Sequence, residues 1–356
     1  MRKAAITSGA IGLALLIAAG LLAWWITPSY VAQLPSNYNK TRTYDGTIHS
    51  LVNPAALGSG NLGAAIRTGL PATLTDHVMT QQTSGNTALI QDTRTISASH
   101  TTVASTVSHY AVDRQSLEAT RNHPSNWSVT PATGLTVSWP LGAKKQNYTG
   151  WVYLTKTTTP LKFVGEAPQG GINTYQYHAT VAPTPIKNPQ ALAGLPKALP
   201  TSLLPRISAA GIIPPRELAA LGKAFPHAKA IPLGYTYQAS NTYFVAPPTG
   251  LVVNVSTNET EMGGIALPSG KILPLIPVLS DSYHASPASL SAAVADANNG
   301  HNTITAAGVI APIVAAAVGF VLVVLAVFLW ITGRSRGRPV EISHPERHPS
   351  PAGTPR

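Results

Sequence analysis

No cysteine occurs among the 356 residues. Disulfide frameworks, thiolate metal sites and Cys nucleophiles are therefore excluded. Charge is scarce as well: Asp, Glu, Lys and Arg together make up 10% of the chain. The motifs of familiar hydrolase and nucleotide chemistry are missing, with no G-x-S-x-G, H-E-x-x-H or P-loop. Histidines between residues 27 and 305 (His49, His77, His100, His109, His123, His178, His227, His284 and His301) form no i, i+4 pair. No metal site and no cofactor is expected. The stretch GSGNLG at 58–63 matches G-x-G-x-x-G, but Pro54 precedes it and Gly69 and Pro71 leave no room for the helix a dinucleotide site needs. It reads as a turn.

Two long apolar runs organise what is present. Ala306 to Ile331 carries no charge and is followed by Arg334, Arg336 and Arg338. At about 1.5 Å per residue, such a run crosses a hydrocarbon layer of about 30 Å. Arg2 and Lys3 precede the N-terminal run, Ala4 to Ile26. Basic flanks stay on the cytoplasmic side, and Trp24, Trp25 and Trp330 sit at run ends, where indole favours the headgroup layer. The first run is longer than a signal-peptide core and lacks a good cleavage site, so it reads as an uncleaved anchor. The expectation is a two-pass protein of the plasma membrane, both termini cytoplasmic, with a large extracytoplasmic region between.

The expected organisation is an anchor at 1–28, a β-rich first half at 29–182, a Pro-rich crossover at 183–215, and a second β-rich half with a juxtamembrane helix at 216–305. The second span at 306–332 and a basic cytoplasmic tail at 333–356 follow. The fold class is thus a mainly β outer domain of antiparallel sheets between two terminal transmembrane helices. Between the spans, 17 Lys and Arg stand against 11 Asp and Glu. The mild excess suits anionic lipid or glycan, and no nucleic-acid partner is expected.

Thr- and Val-rich alternation predicts strands at 72–82, 87–97 and 100–112, the first two joined by Ser84-Gly85-Asn86. Further strands are predicted at 134–139, 161–165, 172–181, 233–238, 242–246 and, last, 251–256. Pro168 to Gly171 makes the clearest hairpin. The 183–215 stretch reads as an extended, partly ordered crossover between two β regions. Short helices are predicted at 216–225, after Pro214 or Pro215, and at 287–297, capped by Ser286 and stopped at Asn298-Asn299-Gly300. Tyr110 to Ser116 can be laid on Tyr243 to Thr249, each an aromatic-led strand running into a turn, which raises the possibility of two related halves. Small residues Ala4, Ser8 and Gly12 on the first span, and Ala311, Ala315 and Gly319 on the second, predict close packing of the spans, with Gly12 facing Gly319.

Several blocks carry a family resemblance. YAVDRQSLEA (110–119), GLTVSWPLGAKKQNYTGW (134–151), FVGEAPQGGINTYQYHATV (163–181) and FVAPPTGLVV (244–253) resemble the signature stretches of the actinobacterial porin PorA family of envelope proteins. The chain departs from that pattern at Leu117, where a Gly is expected, at Ala246, where an acid is expected, and at Val152. The resemblance implies an inner-membrane protein with a β-rich outer domain, linked in some members to envelope lipoglycan maturation. It implies a lipid or lipid-linked glycan ligand, or an envelope protein partner. Candidate ligand contacts within these blocks are Tyr110, Asp113, Arg114, Trp139, Lys144 and Lys145. Asp113 and Arg114 are also expected to brace their turn. No catalytic residue stands out; Asp113, Glu118 and Glu166 are the acids that a glycan-modifying enzyme would use, and salt bridges or turn bonds are the simpler role. An oligomeric channel is the other alternative, although neither span carries a polar stripe.

Overall fold

A computed structural model describes residues 2–54, 56, 61, 65–209, 211 and 213–335. Nearly all of the GSGNLG stretch, with Arg336, Arg338 and the rest of the tail, lies outside the described residues. The chain divides into two units: residues 1–31 with 304–356, and residues 32–303.

The first unit is a helical pair. Helix α1 spans Arg2–Leu21 and continues with π-type bonding over Leu22–Val31. Its partner, named α6 below, spans Ala311–Ser335. Among the described residues, two helices, Ile6–Thr27 and Pro287–Thr332, are long and apolar enough to cross a membrane. The predicted close packing is present. A Cβ built on Gly12 would lie 2.6 Å from the Gly319 carbonyl oxygen, and one on Gly319 would lie 2.7 Å from that of Gly12. Gly9 approaches Ala326, and Gly308 approaches Thr27. The register is antiparallel, and Gly9 and Gly12 lie on the seam.

The second unit is built on one antiparallel sheet. Its strands are β1 (Asn39–Val52), β2 (Ile66–Arg67), β3 (Leu70–Ser84), β4 (Thr87–Ala98), β5 (Thr101–Asp113), β6 (Tyr148–Val152), β7 (Thr157–Gln169) and β8 (Ile172–Pro185). After the crossover come β9 (Ala198–Pro200), β10 (Ala230–Val245), β11 (Val252–Ala266) and β12 (Ile272–Ala285). The main order is β5-β4-β3-β1-β12-β11-β10-β8-β7-β6. Both predicted halves therefore contribute to one sheet, joined where β1 pairs with β12 and again where β8 pairs with β10. Isolated bridges link the two end strands: Val112 with Ala119, Glu118 with Leu135, and Leu135 with Gly150.

Turn chemistry fixes the hairpins. Gly85, with φ +56°, opens the β3–β4 turn; Gly170 and Gly171, both at positive φ, make the β7–β8 turn. Ser99 and His100 sit at φ 49° and 62° in the β4–β5 turn, so His100 is a turn residue rather than the start of a strand.

The two turns aligned in sequence share one geometry. Asp113 N–H donates to the Glu118 carbonyl and Leu117 N–H to the Asp113 carbonyl, each at 2.9 Å. Ala246 N–H donates to Leu251 and Gly250 N–H to Ala246, again at 2.9 Å. The fifth residue is left-handed in both: Leu117 at φ 54° and Gly250 at φ 69°. That conformation explains why glycine is expected at 117. Leu117 accepts a cost of about 1–2 kcal/mol there and is buried among Leu34, Ile90, Tyr110 and Val112.

Several expectations are corrected. Gly134–Trp139 is not a strand; only Leu135 bridges, and Thr136 to Trp139 turn into the interior of the sheet. Residues 233–238 and 242–246 belong to one long strand, β10, because small and polar residues between them keep the alternation. Strands β1 and β12 were not foreseen, and 251–256 is not the last strand. The crossover carries short elements: α2 (Pro189–Leu192) sets Ala191 and Leu192 against Leu154, Tyr235 and Tyr237, while β9, α3 (Leu204–Ala209) and α4 (Pro215–Ala224), the helix expected at 216–225, surround a core of Leu199, Leu204, Ile207, Ile213, Leu221 and Ile231. Helix α5 starts where expected, with Ser286 Oγ accepting from Ser289 N–H at 3.2 Å, but runs to Thr305. Gly300 does not stop it, because it supplies clearance: a Cβ there would lie 2.8 Å from the Thr249 methyl. Asp296 on α5 takes Lys40 at 2.8 Å and Arg42 at 2.5 Å from β1. Burial pushes its carboxyl up, but those two hydrogen bonds pull it below the usual range.

Candidate functional site

The inner face of the curved sheet is polar where a core is ordinarily apolar. Alternation along each strand decides which side chains point there. On β3 these are Leu74, Asp76 and Val78; on β4, Asp92, Arg94 and Ile96; on β10, Tyr237, Asn241 and Tyr243. On β11 they are Val255, Thr257, Glu259 and Glu261, and on β12, Leu279, Asp281 and Tyr283. Cross-strand register stacks these groups. Asp76 stands opposite Arg94, Glu259 opposite Asp281, and Tyr237 opposite Glu261.

Arg94 is the cation of this cluster. Its guanidinium lies 4.0 Å from Glu259 and 5.1 Å from the Tyr153 ring centroid. Burial alone would lower its pKa, but Tyr153, Glu259, Asp76 and Asp92 outweigh burial and hold it well above the ordinary value. The carboxyls are pushed the other way. Desolvation, with the charges of Glu259 and Glu261, raises Asp281 to about 8. Desolvation and Glu259 raise Glu261 to about 7. Asp92 is raised well above the usual range by desolvation and by Asp76. Near neutral pH this surface thus offers protonated carboxyls that donate hydrogen bonds beside a guanidinium that stays charged.

Two adjoining cavities occupy this face. The first, of about 190 Å³, is lined by Trp139, Trp151, Tyr44, Tyr243 and the acids Asp76 and Asp92. The second, of about 380 Å³, runs past Asp281, Glu261, Tyr153 and Ile96. They share Leu74, Arg94, Glu259 and Tyr283. A third, of about 50 Å³, is almost wholly apolar, lined by Leu199, Ile207, Leu233, Leu275 and Ile276. It shares Val52, Pro54, Leu195 and Val278 with the second. Polarity therefore falls from the first two cavities to the third, which are neighbours across shared walls.

Buried polar atoms without a partner concentrate on these walls. Among the described residues, Arg94 Nε, Thr136 Oγ1, Trp139 Nε1 and Asn241 Oδ1 have no hydrogen-bond partner within the protein. All of these residues line the first two cavities.

The residues singled out from sequence do not form one site. Trp139 does line the first cavity, packed on Tyr177 and Tyr243 at 5.2 and 5.1 Å between ring centroids. Tyr110 is buried in the core beside Ile90 and Leu117, its phenol pushed up to about 12 by desolvation. Asp113 Oδ1 accepts from the N–H groups of Gln115 and Ser116 at 2.9 and 2.8 Å, and its other oxygen takes Asn86. Arg114 Nε donates to the Leu34 carbonyl at 2.8 Å. Both residues brace the turn, as expected. Lys144 is exposed, its carbonyl accepting from the Tyr177 hydroxyl at 2.6 Å. Lys145 pairs with Glu166 on the surface and lies 5.6 Å from the Tyr175 ring centroid. Glu118 is exposed in the turn. The interior acids and Arg94 were missed. Their signal was present: Asp92 and Arg94 occupy the same alternating phase as Ile90 and Ile96.

Among the described residues, two helices long and apolar enough to cross a membrane accompany a β unit whose inner face is polar. The sequence profile described as Porin PorA matches residues 4–328, and the chain belongs to that family. No curated protein matches the chain. Among solved structures, it is similar to the acyl-CoA thioesterase II TesB2 from Mycobacterium marinum at 9% identity, covering 69% of this chain and 79% of that one, with a TM-score of 0.13. It is also similar to a MaoC-like dehydratase at 14% identity, covering 76% and 82%, with a TM-score of 0.11. Scores this low carry no argument about fold or chemistry.

Proposed function

We propose that the β unit binds an amphiphile, a lipid bearing a sugar head, inside its curved sheet, and serves envelope lipoglycan assembly by carrying or presenting it. The observation that supports this most is the graded series of neighbouring cavities, from the Trp139–Asp76–Arg94 chamber to the Leu199–Ile276 pocket. Sugar hydroxyls donate to carboxylates and accept from protonated carboxyls and guanidinium, while sugar faces lie on Trp and Tyr rings. Alkyl chain suits the apolar end. The role is binding rather than catalysis, with a partner enzyme of the envelope as the recipient. In this reading the β unit lies outside the plasma membrane and both termini lie inside, as Arg2, Lys3 and the Arg334 cluster favour.

The test is titration of the full chain in nanodiscs with an octyl hexoside, read by tryptophan emission. Saturable quenching in the wild type, weakened at least tenfold by Glu259→Gln or Asn241→Leu, supports the reading. Absence of any saturable change, or variants that bind as well as wild type, overturns it. The family description favours a second reading, an oligomeric channel. Discrete conductance steps in a planar bilayer, abolished by variants in the helical pair, are the result that reading requires.

A further inference from the structure

A separate cleft of about 430 Å³ lies on the β unit, framed by the 119–133 segment. Arg121, His123, Trp127, Thr130, Thr133 and Trp151 line it. Trp151 also lines the 190 Å³ interior chamber, so one indole is wall to both spaces. The cleft is built rather than incidental. Thr130 N–H donates to the His109 carbonyl at 2.7 Å, Thr120 N–H to Ala111 at 2.9 Å, and Thr87 Oγ1 to the Asn122 carbonyl at 2.9 Å. These bonds lash the segment to β4 and β5. His123 and Trp127 stack with ring centroids 6.2 Å apart and planes within 1° of parallel. The His123 ring is itself oriented by a 3.0 Å contact from Nδ1 to the Pro124 carbonyl. On its inner side Trp151 meets the Tyr110 phenol.

Rigid aromatic planes beside threonine hydroxyls and a free-standing guanidinium make a surface for sugar rings. We infer that this cleft is a second glycan subsite, continuous with the interior chamber past Trp151, so that the bound lipid carries an oligosaccharide rather than a single sugar. The inference rests on the interior binding of an amphiphile proposed above. In it the first sugar occupies the chamber, the chain of sugars passes Trp151, and later units lie on Trp127 and within reach of Arg121. Trp151 is a positioning residue, setting the angle at which the glycan leaves.

The experiment compares three probes on the full chain in nanodiscs: an octyl chain on one hexose, the same chain on a linear tetrahexose, and the free tetrahexose. The tetrahexose glycoside is expected to bind about tenfold more tightly than the monohexoside, the scale of one added stacking contact. Trp127→Ala should remove that advantage and leave monohexoside binding unchanged. Since Trp127 is buried beside Leu89 and Ala111, the exposed Arg121→Ala serves as a second variant that leaves the fold intact, and it should reduce the same advantage. Equal affinity of the two glycosides for wild type, or an advantage that survives both variants, overturns the inference while leaving the interior reading standing. Binding of the free tetrahexose that matches the glycoside and ignores Glu259→Gln also overturns it, because the cleft would then be an unconnected site. Failure of both glycosides to bind brings down the interior reading and this one together.

Discussion

Asp281 gives the sharpest handle on the interior chamber. Its carboxyl is 2% exposed, sits opposite Glu259 across the β11–β12 ladder, and titrates near 8 in the folded chain. In the unfolded chain an Asp titrates near 3.9. A carboxyl whose folded pKa is raised binds its proton more tightly when folded. Its stabilising contribution is therefore complete below about pH 4 and is lost as pH rises toward 8. Each pH unit inside that window costs about 1.4 kcal/mol per carboxyl. From pH 5 to 7, Asp281 alone accounts for roughly 2.7 kcal/mol. Glu261, raised to about 7, acts in the same direction. At about 2–4 °C per kcal/mol for a unit of this size, Asp281 alone should lower the melting temperature by roughly 5–11 °C over those two pH units, and Glu261 adds to the fall. The assay is differential scanning fluorimetry of the full chain in nanodiscs across pH 4.5 to 8.5. Asp281→Asn keeps the shape and removes one titration, so it should take about 1.4 kcal/mol per pH unit off the slope, leaving the part Glu261 and Asp92 carry, and melt above wild type at pH 8. A wild-type curve that is flat from pH 5 to 8, or an Asn variant with the wild-type slope, would refute the buried, proton-holding Asp281.

Three further outcomes are expected. Asp113→Ala removes the acceptor for Gln115 and Ser116 N–H and the partner of Asn86; it should cost about 1–3 kcal/mol in thermal or denaturant unfolding without changing octyl hexoside affinity. Leu117→Gly relieves the left-handed backbone at φ 54° but empties a fully buried leucine site; unfolding should show a net loss of about 1–3 kcal/mol, since a core Leu truncation outweighs the relief. Gly319→Ile places a branched side chain where a bare Cβ already meets the Gly12 carbonyl at 2.7 Å; disulfide crosslinking between Thr7→Cys and Leu325→Cys should drop several-fold, whereas Val318→Ile, at an exposed position, should leave it unchanged.

What could be read from the chain depended on how local the determining physics is. The hairpins at Gly85 and at Gly170-Gly171 follow from glycine's access to positive φ, and the helix start at Ser286-Pro287 follows from capping, so all three were legible. The turn at Asp113 was legible because Asp bonds the backbone just after itself. Strand β1 was not, because charges at Lys40, Arg42 and Asp45 hide its alternation, and β12 was obscured by Pro274 and Pro277 within it. Gly300 misled because a helix glycine that ends a helix and one that clears a neighbour are written with the same letter. The interior cluster was missed for a different reason. Its acids come from β3, β4, β11 and β12, up to two hundred residues apart, and only the sheet order brings Asp76, Arg94, Glu259 and Asp281 onto one face.

The most direct test of the central claim is photocrosslinking with a diazirine-bearing octyl hexoside on the full chain in nanodiscs, followed by peptide mapping. Adducts on the inner face of the sheet, at Trp139, Tyr237, Tyr283 and their neighbours, competed away by unlabelled glycoside and lost in Glu259→Gln, are the predicted result. Adducts confined to α1 and α6, or spread over the outer surface and indifferent to competition, would contradict it.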